Sequence, residues 1–212
     1  MGAITISRQL GSHGARIARG VAQKLGWPYA DKSTINTVIK QYGLIHLDDI
    51  YGDKGPTFWD LFNQDSVWTI QWMNKTIQTI AAQGDVVILG RGGFAVLGDF
   101  VDVLDVFVKA PEDLRAQRIA LRDSTTPKEA LSKIAADDKA RAKFTKRLYS
   151  MDWAGEDNHD LVIDTSEVSD EEAIDQVIAA YEALQANLPE GPRITNLEID
   201  PVLSDAIKEQ LR

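Results

Sequence analysis

Short apolar runs alternate with amphipathic segments along most of the chain. In 15–26 the residues Ile17, Val21 and Leu25 recur every four positions, which predicts a helix that stops at the glycine following them. Residues 85–91 (DVVILGR) form a nearly continuous apolar run, typical of a strand buried on both faces of a parallel sheet. Strands or short strand-like connections are predicted at 3–7, 27–32, 85–91, 103–110 and 160–165. Helices are predicted at 15–26, 33–43, 65–84, 111–123, 126–151, 169–188 and 201–212.

Strands that are separated by helices imply crossover connections, and therefore a parallel sheet with helices on both faces. We predict an α/β fold of three layers with about five parallel strands. The ligands of such sheets bind beyond the carboxyl ends of the strands. That rule directs attention to 7–14, 90–93, the residues after Ala110 and those after Asp164.

The length of 212 residues suits one sizeable domain, which we place at 1–188, followed by a tail at 189–212. The chain has no cysteine, which excludes disulfides and thiolate metal sites. No stretch approaches the roughly 18 apolar residues of a membrane span. Arg8 and Arg16 interrupt what would be the core of a signal peptide. We therefore expect a cytoplasmic protein without membrane contact.

Charge is unevenly distributed along the chain. The net charge of −9 argues against a general binder of nucleic acid. Residues 122–147, however, contain eight basic and four acidic residues, a charge of +4 that leaves −13 on the remainder. A basic patch in an acidic protein suits a small, highly charged anion, although a basic helix is also an ordinary solvated surface.

The first predicted strand leads into the loop RQLGSHG and then into a helix. Such a turn directs backbone N–H groups and the positive end of the helix toward one point, which favours phosphate. Gly11 and Gly14 permit the close approach this requires, and Ser12 offers a hydroxyl to phosphate or Mg²⁺. The loop matches neither GxxxxGK[ST] nor GxGxxG, and similar turns occur in α/β proteins without a ligand.

Four stretches in order resemble the cytidylate kinase-like family of P-loop proteins. They are ITISRQLGSHGARIA with KLGWPYADK, VVILGRGGFAVL, VFVKAPEDLRAQRI, and DDKARAKFTKRLYSMDWAGEDNHDLVIDTS. The first is similar to the family's opening loop of S-R-x-x-G-S-G-G type, and the second to a motif built around Gly-Arg. The third resembles a strand with an arginine-bearing helix behind it, and the fourth a lid and the final strand.

The resemblance implies a nucleoside monophosphate kinase fold with a helical lid at 122–157 and a monophosphate-site insertion at 43–84. It implies ATP bound over the first loop with Mg²⁺ beside Ser12. The implied ATP-binding residues are Gly11, Ser12, His13, Gly14, Ala15 and Arg16. Aligned without gaps to true cytidylate kinases, Arg8 and His13 stand at the Walker glycines, Gly14 at the lysine and Ala15 at the residue after it.

Phosphoryl transfer requires cations around the transferring group, and arginine suits this because its fork binds phosphate bidentately. Arg91, at the end of a buried strand, is predicted to bind the acceptor phosphate, and the resemblance implies that Asp31 helps to shape the acceptor site. The structural alternatives are that Arg91 pairs with a carboxylate and that Asp31 caps the next helix. That helix is predicted to open on Ser33 as its N-cap. The cations predicted to close around the transferred phosphate are Arg118, Arg122, Lys139 and Arg141. The alternative for each of them is an ordinary surface charge. Arg8 or Arg16 replaces the missing lysine, and Arg8 is the better placed.

These features lead to one main hypothesis and one alternative. The main one is an ATP- and Mg²⁺-dependent kinase that acts on a small phosphorylated acceptor such as CMP. The alternative is a sensor or partner-binding domain that kept the fold without efficient transfer, with the acidic tail as a docking segment. The chain lacks the residues that a Rossmann dinucleotide enzyme, a zinc site or a hydrolytic triad would require. Base selection is placed in 43–64, and exposure of Trp59, Trp68 or Trp72 would indicate a homodimer.

Overall fold

A computed structural model describes residues 1–41 and 64–211, without the side chains of 40, 41 and 64–69. Its centre is a five-stranded, entirely parallel sheet in the order β2–β3–β1–β4–β5. The strands are β1 (Ala3–Arg8), β2 (Tyr29–Ala30), β3 (Val86–Leu89), β4 (Val103–Lys109) and β5 (Leu161–Asp164). The predicted three-layer α/β fold with five parallel strands is confirmed.

Eight α-helices lie in the described part of the chain. They are α1 (Gly14–Leu25), α2 (Lys32–Gln41), α3 (Gln64–Ala82), α4 (Gly93–Leu97), α5 (Glu112–Asp123), α6 (Pro127–Tyr149), α7 (Asp170–Ala186) and α8 (Pro201–Gln210). Short 3-10 turns occupy Glu156–Asn158 and Ile194–Asn196. The periodicity did not predict α4, because five residues after a glycine-rich turn are too few to show a helical repeat.

The two faces of the sheet bury separate apolar clusters, because successive side chains of a strand point to opposite sides. Ile4 and Ile6 of β1 pack with α1 and α7 on one face. Ala3 of β1 and Ile88 of β3 pack with α2, α3 and α8 on the other. Because β1 is the central strand, paired with β3 on one side and β4 on the other, the first loop lies at the centre of the carboxyl end of the sheet.

The beginning of α2 differs from the prediction. The helix begins at Lys32, one residue before the predicted cap Ser33. The carboxylate of Asp31 accepts hydrogen bonds from the backbone N–H of Ser33 at 2.8 Å and of Thr34 at 3.4 Å. Asp31 is therefore the capping residue, since an aspartate at this place satisfies the open amides of the first turn.

The tail packs against the rest of the protein. Ile194, Leu203 and Ile207 are buried in the cluster formed with α2 and α3. The buried carboxylate of Asp102 accepts a hydrogen bond from the Ile194 N–H at 2.9 Å. The apolar side of the tail helix α8 is thus occupied by the protein's own core.

Two predictions fall partly on undescribed residues. The predicted base-selecting segment 43–64 lies outside the described residues except for Gln64, as do Trp59 and the side chain of Trp68. Trp72 is half-buried against the core, with the Lys75 ammonium 5.2 Å from the centre of its ring. The homodimer stays a prediction. Within the described ranges, no helix is both long and apolar enough to cross a bilayer.

Candidate nucleotide site

A cavity of about 650 Å³ opens where β1 ends, between the first loop (9–13), α1, α5 and the lid helix α6. Its described lining includes no aspartate or glutamate. Guanidinium groups dominate it, from Arg8, Arg16, Arg19, Arg118, Arg122 and Arg141. Such a lining attracts polyanions, because arginines keep their charge at any physiological pH and donate several hydrogen bonds each.

The first loop is fixed by hydrogen bonds at both ends. The Ser12 hydroxyl donates to the Gln9 carbonyl at 2.9 Å, and the Gln9 side-chain oxygen accepts from the Ala110 N–H at 3.1 Å. Gly11 has a φ of +86°, and a Cβ there would lie 2.9 Å from the Arg115 carbonyl oxygen. Only glycine suits this position, because the left-handed backbone and the close approach of α5 both exclude a side chain.

The loop passes into α1 through His13, which has a φ of 65°. Its Nδ1 lies 2.9 Å from the carboxylate of Asp170, which also binds Arg16 at 3.0 Å. Within the described residues, no side chain caps α1. The first amides of the helix are therefore available to an anion.

Arg8 lies at the end of β1 and reaches along the loop. A Cβ on Gly14 would lie 3.0 Å from the Arg8 Cγ and closer still to its Cβ. A Cβ on Gly90 would lie 3.2 Å from the Arg8 Cζ and closer still to Nη1. Burial, together with the nearby Arg141 charge, lowers the pKa of Arg8 to about 10. The side chain is therefore still protonated at neutral pH.

Helix α5 contributes two arginines with different partners. Arg118 donates to the Thr165 hydroxyl at 2.8 Å, to the Thr165 carbonyl at 2.9 Å and to the Gly11 carbonyl at 3.3 Å. Arg115 is buried and binds the Asp138 carboxylate of the lid at 2.9 Å. Arg118 thus faces the cavity, whereas Arg115 joins α5 to α6.

The lid helix α6 is held against the first loop. Arg141 donates to the Arg8 carbonyl at 3.2 Å and forms an ion pair with Asp137 one turn earlier. Arg122 binds the Asp123 carboxylate at 2.7 Å, and the hydrogen bonds from Arg122 and Lys133 hold the pKa of Asp123 well below its usual range. Three residues of the predicted closing shell therefore line the cavity, namely Arg118, Arg122 and Arg141.

Lys139 and Ser12 do not join this lining. Lys139 is exposed, because two residues along a helix correspond to a rotation of about 200° and place it away from Arg141. Ser12 is fully buried behind the loop, with its hydroxyl donated to Gln9. The predicted contact of Ser12 with Mg²⁺ stays a prediction.

The residues predicted for the acceptor lie on the other side of the first strand. Arg91 follows β3 with a φ of 56° and donates to the Asn36 side-chain oxygen of α2 at 2.8 Å. Asp31 lies at the beginning of the same helix. The structure thus brings both residues to α2, and their contact with an acceptor stays a prediction.

Sequence reasoning missed three contributors to the site. Arg19 lines the cavity, Thr165 holds Arg118, and Asp170 holds His13 and Arg16. Arg19 follows Arg16 by one helical turn, so helical spacing would have indicated it. Thr165 and Asp170 are distant from the loop in sequence: the pairing of β4 with β5 brings Thr165 there, and the packing of α7 against α1 brings Asp170.

The lining fits a polyphosphate better than it fits a metal ion. Ala15 has no hydroxyl, Ser12 is fully buried outside the lining, and the lining has no carboxylate. Within the described ranges there is no cluster of three His, Cys, Asp or Glu residues suited to a metal. These residues offer Mg²⁺ none of the carboxylate or hydroxyl oxygens it prefers.

Solved structures share this three-layer fold with its five parallel strands. The chain is similar to an uncharacterized protein of Eubacterium ventriosum, with a TM-score of 0.70 and 20% identity over 86% of this chain and 99% of the other. It is also similar to a gluconokinase of Sinorhizobium meliloti, with a TM-score of 0.53 and 16% identity over 88% and 95% of the two chains. At these identities the likeness concerns the fold alone.

The model of the cytidylate kinase-like family matches residues 3–167, and the chain belongs to that family. It is 33% identical over 112 residues to a cytidylate kinase of Methanopyrus kandleri, covering 49% of this chain and 58% of that protein. It is 26% identical over 177 residues to a cytidylate kinase of Pyrobaculum aerophilum, covering 81% and 88%. The match thus spans little more than half the length of the first relative and most of the second.

Proposed function

We propose that this protein transfers a phosphoryl group from ATP to a small phosphorylated acceptor, a nucleoside monophosphate such as CMP. The observation that carries the proposal is the arginine-lined cavity of about 650 Å³ at the carboxyl end of β1. Its place in the sheet is where open α/β folds bind their ligands. The kinases named among the relatives support the reaction class and the choice of CMP.

The donor side consists of the first loop, the beginning of α1 and the guanidinium groups around them. The amides of α1 and the side chains of Arg118 and Arg141 surround the space above Gly11. Phosphoryl transfer depends on positioning and on positive charge placed around the transferring group before the reaction. The lid helix, held by Arg141 and by the Arg115–Asp138 ion pair, covers the loop and excludes water.

The acceptor side is proposed to lie between Arg91 and α2. A bidentate arginine holds a phosphate oxygen pair in a fixed orientation, which aligns the acceptor with the donor. Asp31 caps α2 and so fixes the beginning of the helix that faces Arg91. When bound with ATP, Mg²⁺ supplies further neutralisation of phosphate charge. The residues that line the cavity would supply such an ion with no carboxylate and no hydroxyl.

The test is a coupled assay of ADP formation with ATP and a panel of nucleoside monophosphates. CMP should give the highest kcat/KM. Arg91→Ala should lower kcat/KM for the acceptor about 10- to 100-fold, because a charged hydrogen bond contributes about 1.5–3 kcal/mol. Arg91→Lys should recover only part of this loss.

The matched control is Arg193→Ala, which removes an exposed arginine in the tail. It should leave turnover and the KM for ATP unchanged. Absence of turnover with every monophosphate, in protein that is folded and binds ATP, would contradict the proposal.

A sensor without efficient transfer is the second candidate. It is favoured by His13, a non-glycine residue in the left-handed conformation, held in the loop by Asp170. It is also favoured by the absence of a lysine from the first loop. Binding of ATP without ADP formation would support this candidate over the kinase.

A further inference from the structure

We infer that Arg8 and Gly14 have exchanged roles relative to an ordinary P-loop. The cation that such loops carry at position 14 is supplied here from position 8, and Gly14 is glycine so that the Arg8 side chain can pass over it. The inference rests on the proposed function, since it assigns one residue of the proposed phosphate site. It explains two departures from the Walker pattern together, the arginine at position 8 and the glycine at position 14.

The geometry at Gly14 carries the inference. Gly14 is buried in the first turn of α1, and the nearest atoms to a Cβ built there all belong to Arg8 and Val108. The clash would be with the Cβ and Cγ of Arg8, the rigid base of the side chain, which cannot swing aside as its tip can. A side chain of any kind at position 14 therefore excludes Arg8 from its present place.

The far end of Arg8 reaches toward the second glycine-containing loop. Its guanidinium lies against Gly90, directly before Arg91. The side chain thus extends from the first loop, which is the proposed donor site, toward the residue proposed to bind the acceptor. A cation at this junction faces the phosphoryl group being transferred, which is where positive charge has the greatest effect on the reaction.

The Arg8 side chain is also open to a phosphate partner, whereas Arg19 is exposed and lies 5.5 Å from the centre of the Tyr29 ring. The side chain of Arg8 forms no hydrogen bond or ion pair with any described residue. Arg16, the other sequence-based candidate, has a side chain 68% exposed and paired with Asp170 at 3.0 Å. Arg118 and Arg141 are likewise engaged, with Thr165 and Asp137.

The experiment uses four variants of the full chain and two probes. The variants are Arg8→Gly, Gly14→Ala, Gly14→Lys and the double variant Arg8→Gly/Gly14→Lys. The probes are inorganic tripolyphosphate and ATP, both titrated calorimetrically, and turnover is measured separately. Gly26→Ala is the control for a glycine replacement at the end of α1: a Cβ there meets nothing within 4 Å, and its φ of +68° adds backbone strain away from the cavity.

Arg8→Gly should weaken binding of both probes about 10- to 100-fold, the loss expected for a charged hydrogen bond. Gly14→Ala should weaken it at least about fivefold although no charge is removed, and Gly26→Ala should not. The double variant should bind at least about fivefold better than Arg8→Gly, because lysine then occupies the space that Arg8 has left. Thermal unfolding checks that each variant is folded.

The inference is overturned if folded Arg8→Gly binds tripolyphosphate like wild type, or if the double variant is no better than Arg8→Gly. It is also overturned if wild type binds neither probe, in which case the proposed function fails too. Wild type that binds both probes but transfers to no acceptor contradicts the proposed function only. The binding series then still decides the role of Arg8.

Discussion

Replacement of Asp105 by asparagine should make the stability of this protein less dependent on pH. Asp105 lies in the middle of β4 and is only 5% exposed, with its carboxylate bound by the Thr5 hydroxyl of β1. Burial, together with the nearby Asp160 charge, raises its pKa from 3.8 to about 7. The Thr5 hydrogen bond opposes this shift without cancelling it.

The sign follows from proton binding. Between the two pKa values the folded state holds a proton that the unfolded state has released, so stability falls as pH rises through this window. From about pH 5 to about pH 8 the two pKa values give a loss on the order of 2–3 kcal/mol. Above the folded pKa the dependence levels off, because both states are then ionised.

Urea unfolding at several pH values measures this directly, with the slope m expected to stay constant. Wild type should lose stability from about pH 5 to about pH 8, whereas Asp105→Asn should lose much less and be the more stable protein at the upper end. Asp99→Asn, which alters an exposed acid, should keep the wild-type profile. Equal profiles for wild type and Asp105→Asn would refute the account of a buried carboxylate with a raised pKa.

Two further predictions concern the site and the tail. Arg118→Ala should raise the Kd for ATP about 10- to 100-fold, because it removes a cavity cation and its hydrogen bonds to Thr165 and to the Gly11 carbonyl. Calorimetry measures this change. The control Gln117→Ala, which alters an exposed side chain of the same helix, should leave the Kd unchanged. Ile207→Ala should lower the free energy of unfolding by about 2–5 kcal/mol, since the side chain is fully buried in the tail's contact with α2 and α3. Val202→Ala, on the exposed side of α8, should cost less than about 1 kcal/mol in the same urea titration, and equal losses would contradict the packing.

The sequence was most informative where one local pattern decides the structure. The apolar run at 85–91 predicted β3, and the four-residue spacing of Ile17, Val21 and Leu25 predicted α1. Strand alternation with helices then predicted the parallel sheet, and with it the end of the sheet where the cavity lies. These steps needed only periodicity and the rules of chain connection.

Side-chain partners could not be predicted in the same way. Lys139 and Arg141 are alike in sequence terms, yet their rotation about α6 places only Arg141 at the cavity. The pairing of Asp170 with His13 spans 157 residues and depends on how α7 returns to α1. The burial of Asp105 depends likewise on its register with Thr5, which no spacing within β4 reveals.

The aspartates that pair with the lining arginines affect how the cationic surface of the cavity forms. Three of the lining guanidinium groups already have an intramolecular counter-anion, in the pairs Arg16–Asp170, Arg122–Asp123 and Arg141–Asp137. These pairs relieve the mutual repulsion of the crowded cations in the absence of any bound anion. Each ion pair also restricts the rotation of its arginine, which lowers the entropy lost when an anion binds. Folding, rather than ligand capture, therefore assembles this cationic surface.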